Sequence, residues 1–170
     1  SSEPKKRKDD NGKTISNKAN DEDASYTSKR GRKHHGYKIH IATDTNSIIK
    51  EVITTTAKTH DSTQFDTLTK DETKAVFADS GYMSQERKRT LRSKGIFNGI
   101  TERRVRGQSK LRTKQSKNNT KFSKVRALVE LPFAFIKKLM KYTETKYLGL
   151  HKNSQHVFLI AAAYNLRRMP

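Results

Sequence analysis

Apolar and polar side chains alternate through the segment GYKIHIATD, where Tyr37, Ile39 and Ile41 fall on every second position. A period of two predicts a half-buried β-strand. The segment IIKEVITTTA, residues 48–57, is rich in β-branched side chains and predicts a second strand. The residues between them, DTNS, are typical of a turn. The two strands are therefore expected to pair as an antiparallel hairpin.

Short helices and strands alternate after the hairpin. A helix with Phe65 and Leu68 facing inward is expected after Asp61 or Ser62, since either residue can cap its first turn. The segment KAVFA is short and continuously apolar, as in the middle of a sheet, and predicts a third strand. SQERKRTLRSKG predicts a helix that ends at Gly95, and IFNGI predicts a fourth strand.

The last third of the chain predicts two helices. The first begins at Lys121, and its apolar face has helical spacing and comprises Phe122, Val125, Val129, Phe133, Ile136 and Met140. Pro132 lacks an amide donor and is expected to kink this helix or to begin a new turn. The final helix, residues 154–168, is apolar nearly all round, so its complete burial is predicted. Strands mixed with helices in this order predict an α/β layered domain.

Two polar segments define the predicted domain organisation. Residues 1–33 have almost no apolar side chains and are expected to form a polar, flexible arm before a single domain at residues 34–170. Residues 101–120 contain seven Lys or Arg and one Glu, and predict a basic loop within that domain.

The charge balance indicates a polyanionic partner. The chain has 37 Lys and Arg against 17 Asp and Glu, which gives a net charge of +20. Nucleic acid is the partner that such a charge on one domain predicts. The candidate DNA-binding residues lie in the basic loop and on the long helix, and are Arg103, Arg104, Arg106, Lys110, Arg112, Lys114, Arg126 and Lys137.

Composition excludes several other classes of protein. The chain has no cysteine, so disulfides and thiolate metal sites are absent, which suits a reducing cytoplasm. No apolar run reaches the roughly 18 residues that a membrane span requires, so no membrane association is expected. The six histidines lack the i, i+4 spacing with an intervening Glu that zinc hydrolases use.

Two carboxylates occupy positions that suggest chemistry. Asp79 directly follows the apolar strand AVFA, at the strand end where ligands bind in open α/β sheets. Glu130 lies beside the apolar face of the long helix. Each has an ordinary explanation, Asp79 as an N-cap or turn residue and Glu130 as an ion-pair partner of Arg126 or Lys137. Together they could instead converge on hard divalent cations, Mg²⁺ or Mn²⁺, which prefer oxygen ligands and promote in-line phosphoryl displacement.

Five segments occur in an order that is known from one family: HHGYKIHIATD, ITTTAKTHDS, VFADSGY, VRALVELPFAFIKK and YLGLHKNSQHVFLIAAAYNLRR. They resemble the blocks of bacterial insertion-sequence transposases with a DDE motif, most closely the fifth numbered insertion-sequence family. The resemblance implies a ribonuclease-H-like mixed sheet flanked by helices, and Mg²⁺-dependent DNA cleavage and strand transfer. By position, Asp79 is the second acidic residue of the catalytic triad and Glu130 the third, and both are expected to bind the metal.

Two departures from the family pattern change this expectation. Ser123 stands at the tyrosine position of a Tyr, Arg, Glu, Lys signature, whereas Arg126, Glu130 and Lys137 match its spacing. In the family, the first aspartate of the triad lies on a strand that precedes a linker similar to SSEPKKRKDDNGK, so this aspartate is expected to be missing here. Asp44 is interpreted as a turn residue and not as its substitute. We therefore expect a carboxyl-terminal part of a transposase that lacks its first strand and is inactive alone.

The resemblance also implies partners, and alternatives stay open. Double-stranded DNA, as transposon ends and target, is the expected substrate, in the bacterial cytoplasm and nucleoid. A complementing N-terminal fragment and a second copy in a homodimer are candidate protein partners. The alternative function is a non-catalytic, basic DNA-binding remnant that contacts mainly phosphates. An RNA-binding protein ranks lower because the basic loop has no aromatic residue for base stacking.

Overall fold

The hairpin predicted from the alternating segment lies in the largest of three sheets. The computed structural model describes residues 6–8, 14–16, 21–29, 31–104 and 106–169. The strands are β1 (Lys6–Lys8), β2 (Thr14–Ser16), β3 (Ser25–Lys29), β4 (Arg32–Thr43), β5 (Ile49–Thr56), β6 (Ala75–Val76) and β7 (Phe97–Asn98). β1 pairs with β2, and β3, β4 and β5 form an antiparallel sheet in that order, whereas β6 and β7 are parallel.

The first two helices alternate with the last two strands, and the other two helices follow them: α1 (Phe65–Leu68), α2 (Gln85–Ser93), α3 (Thr113–Ala134) and α4 (Leu150–Arg168). Two 3-10 turns, Asp61–Gln64 and Ser80–Tyr82, precede α1 and α2, and a π-helical turn, Phe135–Leu139, follows α3. The chain is thus a mixed α/β protein, as predicted. In the part of the chain that the structure describes, no helix combines the length and the apolar character that a bilayer span needs.

The predicted hairpin between β4 and β5 is confirmed. Tyr37 lies opposite Thr56 and Ile41 opposite Val52, so the alternating apolar residues share one face of the sheet. The Asp44 carboxylate accepts hydrogen bonds from the amides of Asn46 and Ile48, both at 2.8 Å. Asp44 is therefore a turn residue, as the sequence predicts.

Part of the predicted flexible arm forms strand instead. β3 pairs along the first half of β4, and the Asp21 carboxylate accepts hydrogen bonds from the Tyr37 hydroxyl at 2.8 Å and from the Gly149 amide at 3.1 Å. Sequence pattern could not reveal this, because main-chain pairing and single polar contacts hold the segment rather than alternating apolar side chains. Residues 1–5, 9–13, 17–20 and 30 of the predicted arm lie outside the described residues.

The basic loop is shorter than predicted, because α3 begins at Thr113 rather than at Lys121. Residues 113–120, TKQSKNNT, are wholly polar and have no apolar periodicity that would predict a helix. The first turn of α3 is capped locally, since the Gln115 side chain accepts a hydrogen bond from the Arg112 amide at 3.0 Å. Lys114 is consequently a helical residue and not a loop residue.

Pro132 lies inside α3 without ending it. Its ring nitrogen has no hydrogen to donate to the carbonyl of Leu128, four residues earlier. The Ser47 hydroxyl donates to that carbonyl at 2.7 Å, and it lies 2.9 Å from the Tyr164 hydroxyl. Ser47 is fully buried in the hairpin turn, with a φ of +64°. The hairpin thus replaces the bond that proline removes, and the helix continues to Ala134 before it widens into the π-helical turn.

The complete burial predicted for the last helix is wrong. α4 buries one side, which includes Val157, Ile160 and Tyr164. The exposed fractions of Phe158, Leu159 and Leu166 are 61%, 66% and 72%. An apolar run without periodicity could not show which side packs, because it fits one buried face as well as two.

Two separate apolar cores form on either side of a cleft. The first lies between the hairpin sheet and the two long helices, and contains Ile41, Ile49, Ile136, Ile160, Ala161 and Tyr164. The second joins β6 and β7 to the short helices, and contains Phe65, Val76, Leu91, Ile96 and Ile100. Phe65 is buried as predicted.

Candidate active site in the cleft between two sheets

A cleft of about 910 Å³ separates β4 from β6. It is lined by the consecutive residues 37–44 and 74–79, and by side chains of α3 that include Val125, Val129 and Phe133. Successive side chains of a strand point to opposite faces, so lining by consecutive residues means that strand edges face the cleft. Over residues 37–43, β4 pairs with β5 at its other edge, and no described strand pairs with the edge at the cleft.

Asp79 stands where the β6 ladder ends at this cleft. The last main-chain bond of the ladder joins the Thr101 amide to the Ala78 carbonyl at 3.0 Å. The Asp79 carboxylate accepts a hydrogen bond from the Ser80 amide at 2.6 Å, which caps the 3-10 turn that follows. The ordinary capping explanation is therefore correct for one of its oxygens. The side chain stays 62% exposed, which leaves the carboxylate open to a ligand.

Arg126 connects Asp79 to the long helix. Its guanidinium lies 3.6 Å from the second carboxylate oxygen of Asp79, and the Arg126 side chain is 30% exposed. Arg126 lines the same cleft. The strand end and α3 therefore meet through opposite charges at one end of the cleft.

Glu130 follows Arg126 by four residues on α3, which places it one turn further along the same side of the helix, at about 6 Å of axial rise. It is exposed and is not among the residues that line the cleft. Lys137 is exposed and does line the cleft. Asp79 thus contacts α3 at Arg126, one helical turn before Glu130.

A third carboxylate does not join this pair. Across the described ranges, no three His, Cys, Asp or Glu side chains form a cluster that could hold a metal ion. Three of the four other acidic residues that line the cleft have partners of their own, since Asp44 holds the hairpin turn, Asp61 lies 3.1 Å from Lys38, and Glu72 lies 2.6 Å from Lys50; the fourth is Glu144. Asp79 and Glu130 have the oxygen donors that a hard divalent cation prefers, but they supply only part of a complete ligand set.

The predicted DNA-binding residues occupy two positions in the fold. Arg103, Arg104, Arg106 and Lys110 are exposed on the basic loop, and the Arg104 guanidinium donates to the Ser109 carbonyl at 2.9 Å. Arg112 and Lys114 are exposed at the start of α3. Between Glu102 and Glu130 the chain contains ten Lys or Arg and no acidic residue. No other stretch of the sequence without an acidic residue contains as many Lys or Arg.

Sequence reasoning missed three further lysines of this segment, Lys117, Lys121 and Lys124. The sequence pattern predicts a loop up to residue 120, and residues of a loop share no common face. Because α3 begins at Thr113, these lysines lie on one helix, where spacings of three and four residues align side chains on one side.

Residues 8–166 match a family model described as "Transposase DDE domain". A curated relative, the transposase for insertion sequence element IS1106 of Neisseria meningitidis serogroup B, is 32% identical over 157 residues. The aligned region covers 91% of this chain and 54% of that protein, so the chain spans about half the length of the relative. None of the solved structures matches the chain.

Proposed function

Because this chain belongs to the DDE-domain transposases of bacterial insertion sequences, we propose that it contributes the second and third acidic residues of a site for DNA cleavage and strand transfer. Asp79 and Glu130 are these residues. The observation that carries the proposal is the contact between Asp79, at the end of the β6 ladder, and α3, the helix that bears Glu130. The assignment requires a ribonuclease-H-like core in which β6 and the hairpin belong to one sheet.

Mg²⁺ or Mn²⁺ is the cofactor that two carboxylates beside nucleic-acid phosphates would hold. Such an ion supplies Lewis acidity for in-line displacement at phosphorus. The protein presents one carboxylate from a strand end and one from a helix. Arg126 lies on α3 before Glu130, and Lys137 lies in the π-helical turn after it. Both would bind phosphate oxygens as DNA enters the cleft, and would neutralise its charge.

The third carboxylate is proposed to arrive on an added β-strand. The cleft presents the unpaired edge of β4 on one side and residues 74–79 on the other. A strand that is added to a free edge gains main-chain hydrogen bonds. Neighbouring strands in a sheet lie about 4.8 Å apart. A strand in this position would end near Asp79 and could carry an aspartate to it. We propose a complementing N-terminal segment as its source.

The proposed substrate is duplex DNA at the ends of an insertion sequence and at its target, which would place the protein at the bacterial nucleoid. One such site acts on one DNA end. A homodimer is therefore the proposed assembly for two ends.

Manganese binding tests the proposal directly. We expect Asp79→Asn and Glu130→Gln each to weaken Mn²⁺ binding by at least about tenfold, since each removes one of few charged oxygen ligands. Asp66→Asn, an exposed aspartate on α1, is the matched control and should change nothing. Electron paramagnetic resonance of free Mn²⁺ measures the affinity. Equal Mn²⁺ affinity in all four proteins would overturn the assignment.

Cleavage assays test the added strand separately. The chain alone should not cleave terminal inverted repeats with Mg²⁺, whereas adding the complementing segment should restore cleavage that Asp79→Asn abolishes. Mg²⁺-dependent cleavage by the chain alone would show that no further strand is needed.

A non-catalytic DNA-binding protein is the second candidate function. It is favoured by the guanidinium of Arg126 at Asp79 and by the lack of a third carboxylate among the described residues. Asp79→Ala and Glu130→Ala should then leave DNA affinity unchanged or slightly raised, while alanine at Arg103, Arg104 and Arg106 lowers it. Mn²⁺ binding that is insensitive to Asp79 and Glu130 separates this candidate from the first.

A further inference from the structure

Four lysines on the first half of α3 form a continuous row: Lys114, Lys117, Lys121 and Lys124. We call this row the lysine stripe. At about 100° per residue, its members fall within an arc of roughly 80° on the helix surface. All four are exposed, and the row extends over ten residues, about 15 Å of helix axis.

The lysine stripe opposes the stability of the helix that carries it. Like charges three and four residues apart repel one another, and cations in the first turn oppose the helix dipole. The first turn of α3 contains no acidic residue to offset them. Within the ranges that the structure describes, no carboxylate forms an ion pair with any of the four lysines. A local conflict of this kind is expected where a surface serves a ligand rather than the fold.

We propose that the lysine stripe binds the phosphate backbone of duplex DNA at a second position, separate from the DNA that is proposed to bind at Asp79 and Glu130. The proposal rests on the proposed function and adds to it a second DNA-contact face. Phosphates of one strand advance about 3.4 Å per base pair along the duplex axis, so a 15 Å row matches about four of them. Four lysines on a rigid helix can therefore follow one strand of the backbone.

The lysine stripe lies opposite the two charged residues of α3 that the proposed function uses, Arg126 and Glu130. Glu130 lies roughly 160° around α3 from the middle of the row, by the same helical rotation. Arg126, which contacts Asp79, lies on the far side as well. Gln115 and Asn119 bond to Glu102 on the side of the helix opposite the row, and leave the row itself free. A phosphate at the lysine stripe is thus separated from a phosphate at Glu130 by the full thickness of the helix.

The chemistry around the row favours duplex DNA over other polyanions. A membrane surface would require apolar residues beside the lysines, but the exposed neighbours are Thr113, Ser116 and Thr120. Single-stranded nucleic acid would require an aromatic platform. The nearest aromatic residue along the helix is Phe122, whose ring packs against Phe77 and Phe97 at centroid distances of 5.8 and 5.9 Å.

Salt-dependent DNA binding tests the proposal on the whole chain. The variant replaces all four lysines of the lysine stripe by Gln, a good helix former. With a 30-base-pair duplex of arbitrary sequence, the slope of log affinity against log salt should fall by about 3 to 4, at roughly 0.9 per lost phosphate contact. Fluorescence anisotropy measures the affinity. The variant should unfold at an equal or higher temperature, because the repulsion between the lysines is removed.

The matched control removes the same charge elsewhere, with Gln at four exposed lysines after α3: Lys138, Lys141, Lys146 and Lys152. Its slope should change by less than about 1. Equal slope changes in the two variants would overturn the proposal in favour of net charge alone. Tighter binding of duplex RNA than of duplex DNA, with the same dependence on the lysine stripe, would overturn the choice of DNA. The salt titration is carried out without divalent cations and records no cleavage, so its outcome is independent of the Mn²⁺ titration that tests Asp79 and Glu130.

Discussion

The guanidinium of Arg126 lies 3.6 Å from the carboxylate of Asp79, and this contact joins the end of the β6 ladder to the middle of α3. It brings together the two elements that carry the proposed catalytic acids. The same contact places a positive charge at the carboxylate that is proposed to bind a metal ion. If the proposal is correct, Arg126 joins the two elements and competes with that ion.

Arg126→Ala should strengthen Mn²⁺ binding while it barely affects stability. The ion pair is partly exposed, and pairs of this kind contribute about 0–1 kcal/mol to folding. Removing the positive charge favours a cation at Asp79. Arg126→Lys keeps the charge and is the control, which should bind Mn²⁺ as the unchanged chain does. Weaker Mn²⁺ binding by Arg126→Ala would mean that Arg126 orients the carboxylate rather than competing at it.

Stability should fall in mildly acidic solution because of His40. Burial lowers the pKa of this histidine below its ordinary value of 6.5, Lys38 lowers it further, and Asp61 opposes the change. As the pH falls through 6.5, the unfolded chain binds a proton that the folded chain binds only at lower pH, so unfolding is favoured. The loss grows down to the pKa of the folded state and then becomes constant.

Urea unfolding at several pH values between 7.5 and 5 measures this loss. His40→Gln should show a flatter dependence on pH, whereas His151→Gln, at an exposed position, should keep the original one. The slopes are compared rather than the absolute stabilities, because His40 also lies 2.9 Å from the Thr55 hydroxyl. An unchanged slope in His40→Gln would assign the pH dependence to other groups.

The two sides of α4 should respond differently to substitution. Ile160 is 3% exposed in the first core, and Ile160→Ala should destabilise the chain by about 2–5 kcal/mol. Leu159 is 66% exposed, and Leu159→Gln should stay within about 0.5 kcal/mol. Urea unfolding of both variants checks this. A large loss in Leu159→Gln would show that this side of α4 is packed in solution.

Sequence pattern predicted the elements that have periodic side chains or local caps. The alternation of Tyr37, Ile39 and Ile41 predicts β4. Capping residues mark both ends of α2, since Ser84 accepts a hydrogen bond from the Arg87 amide and Gly95 has a φ of +68°. The predicted cap at Asp61 or Ser62 is wrong by one or two residues. His60 caps the turn before α1, where its ring nitrogen accepts a hydrogen bond from the Ser62 amide.

Long-range partners could not be predicted, because one sequence does not show them. Asp21 bonds to Tyr37 beside the ladder of β3 and β4, and Glu102 bonds to Gln115 and Asn119 near the start of α3. The candidate site was predicted in part. The position of Asp79 at a strand end follows from the pattern AVFAD, whereas its contact with Arg126 depends on how α3 crosses the cleft.

Ser47→Ala should destabilise the chain, because the Ser47 hydroxyl replaces the main-chain donor that is missing at Pro132. The substitution leaves the carbonyl of Leu128 and the hydroxyl of Tyr164 without their buried partner, at a cost of about 1–3 kcal/mol. Pro132→Ala restores a main-chain donor to the Leu128 carbonyl. The cost of Ser47→Ala should therefore be smaller, by about 1 kcal/mol, in the Pro132→Ala background.

A double-mutant cycle by urea unfolding measures this coupling between Ser47 and Pro132. Tyr164→Phe is the control, because it removes the second partner of Ser47 and leaves the Leu128 carbonyl bonded. Its cost should be independent of Pro132→Ala. Additive effects of Ser47→Ala and Pro132→Ala would show that the hydroxyl does not compensate for the missing amide, and that α3 tolerates Pro132 through the π-helical turn alone.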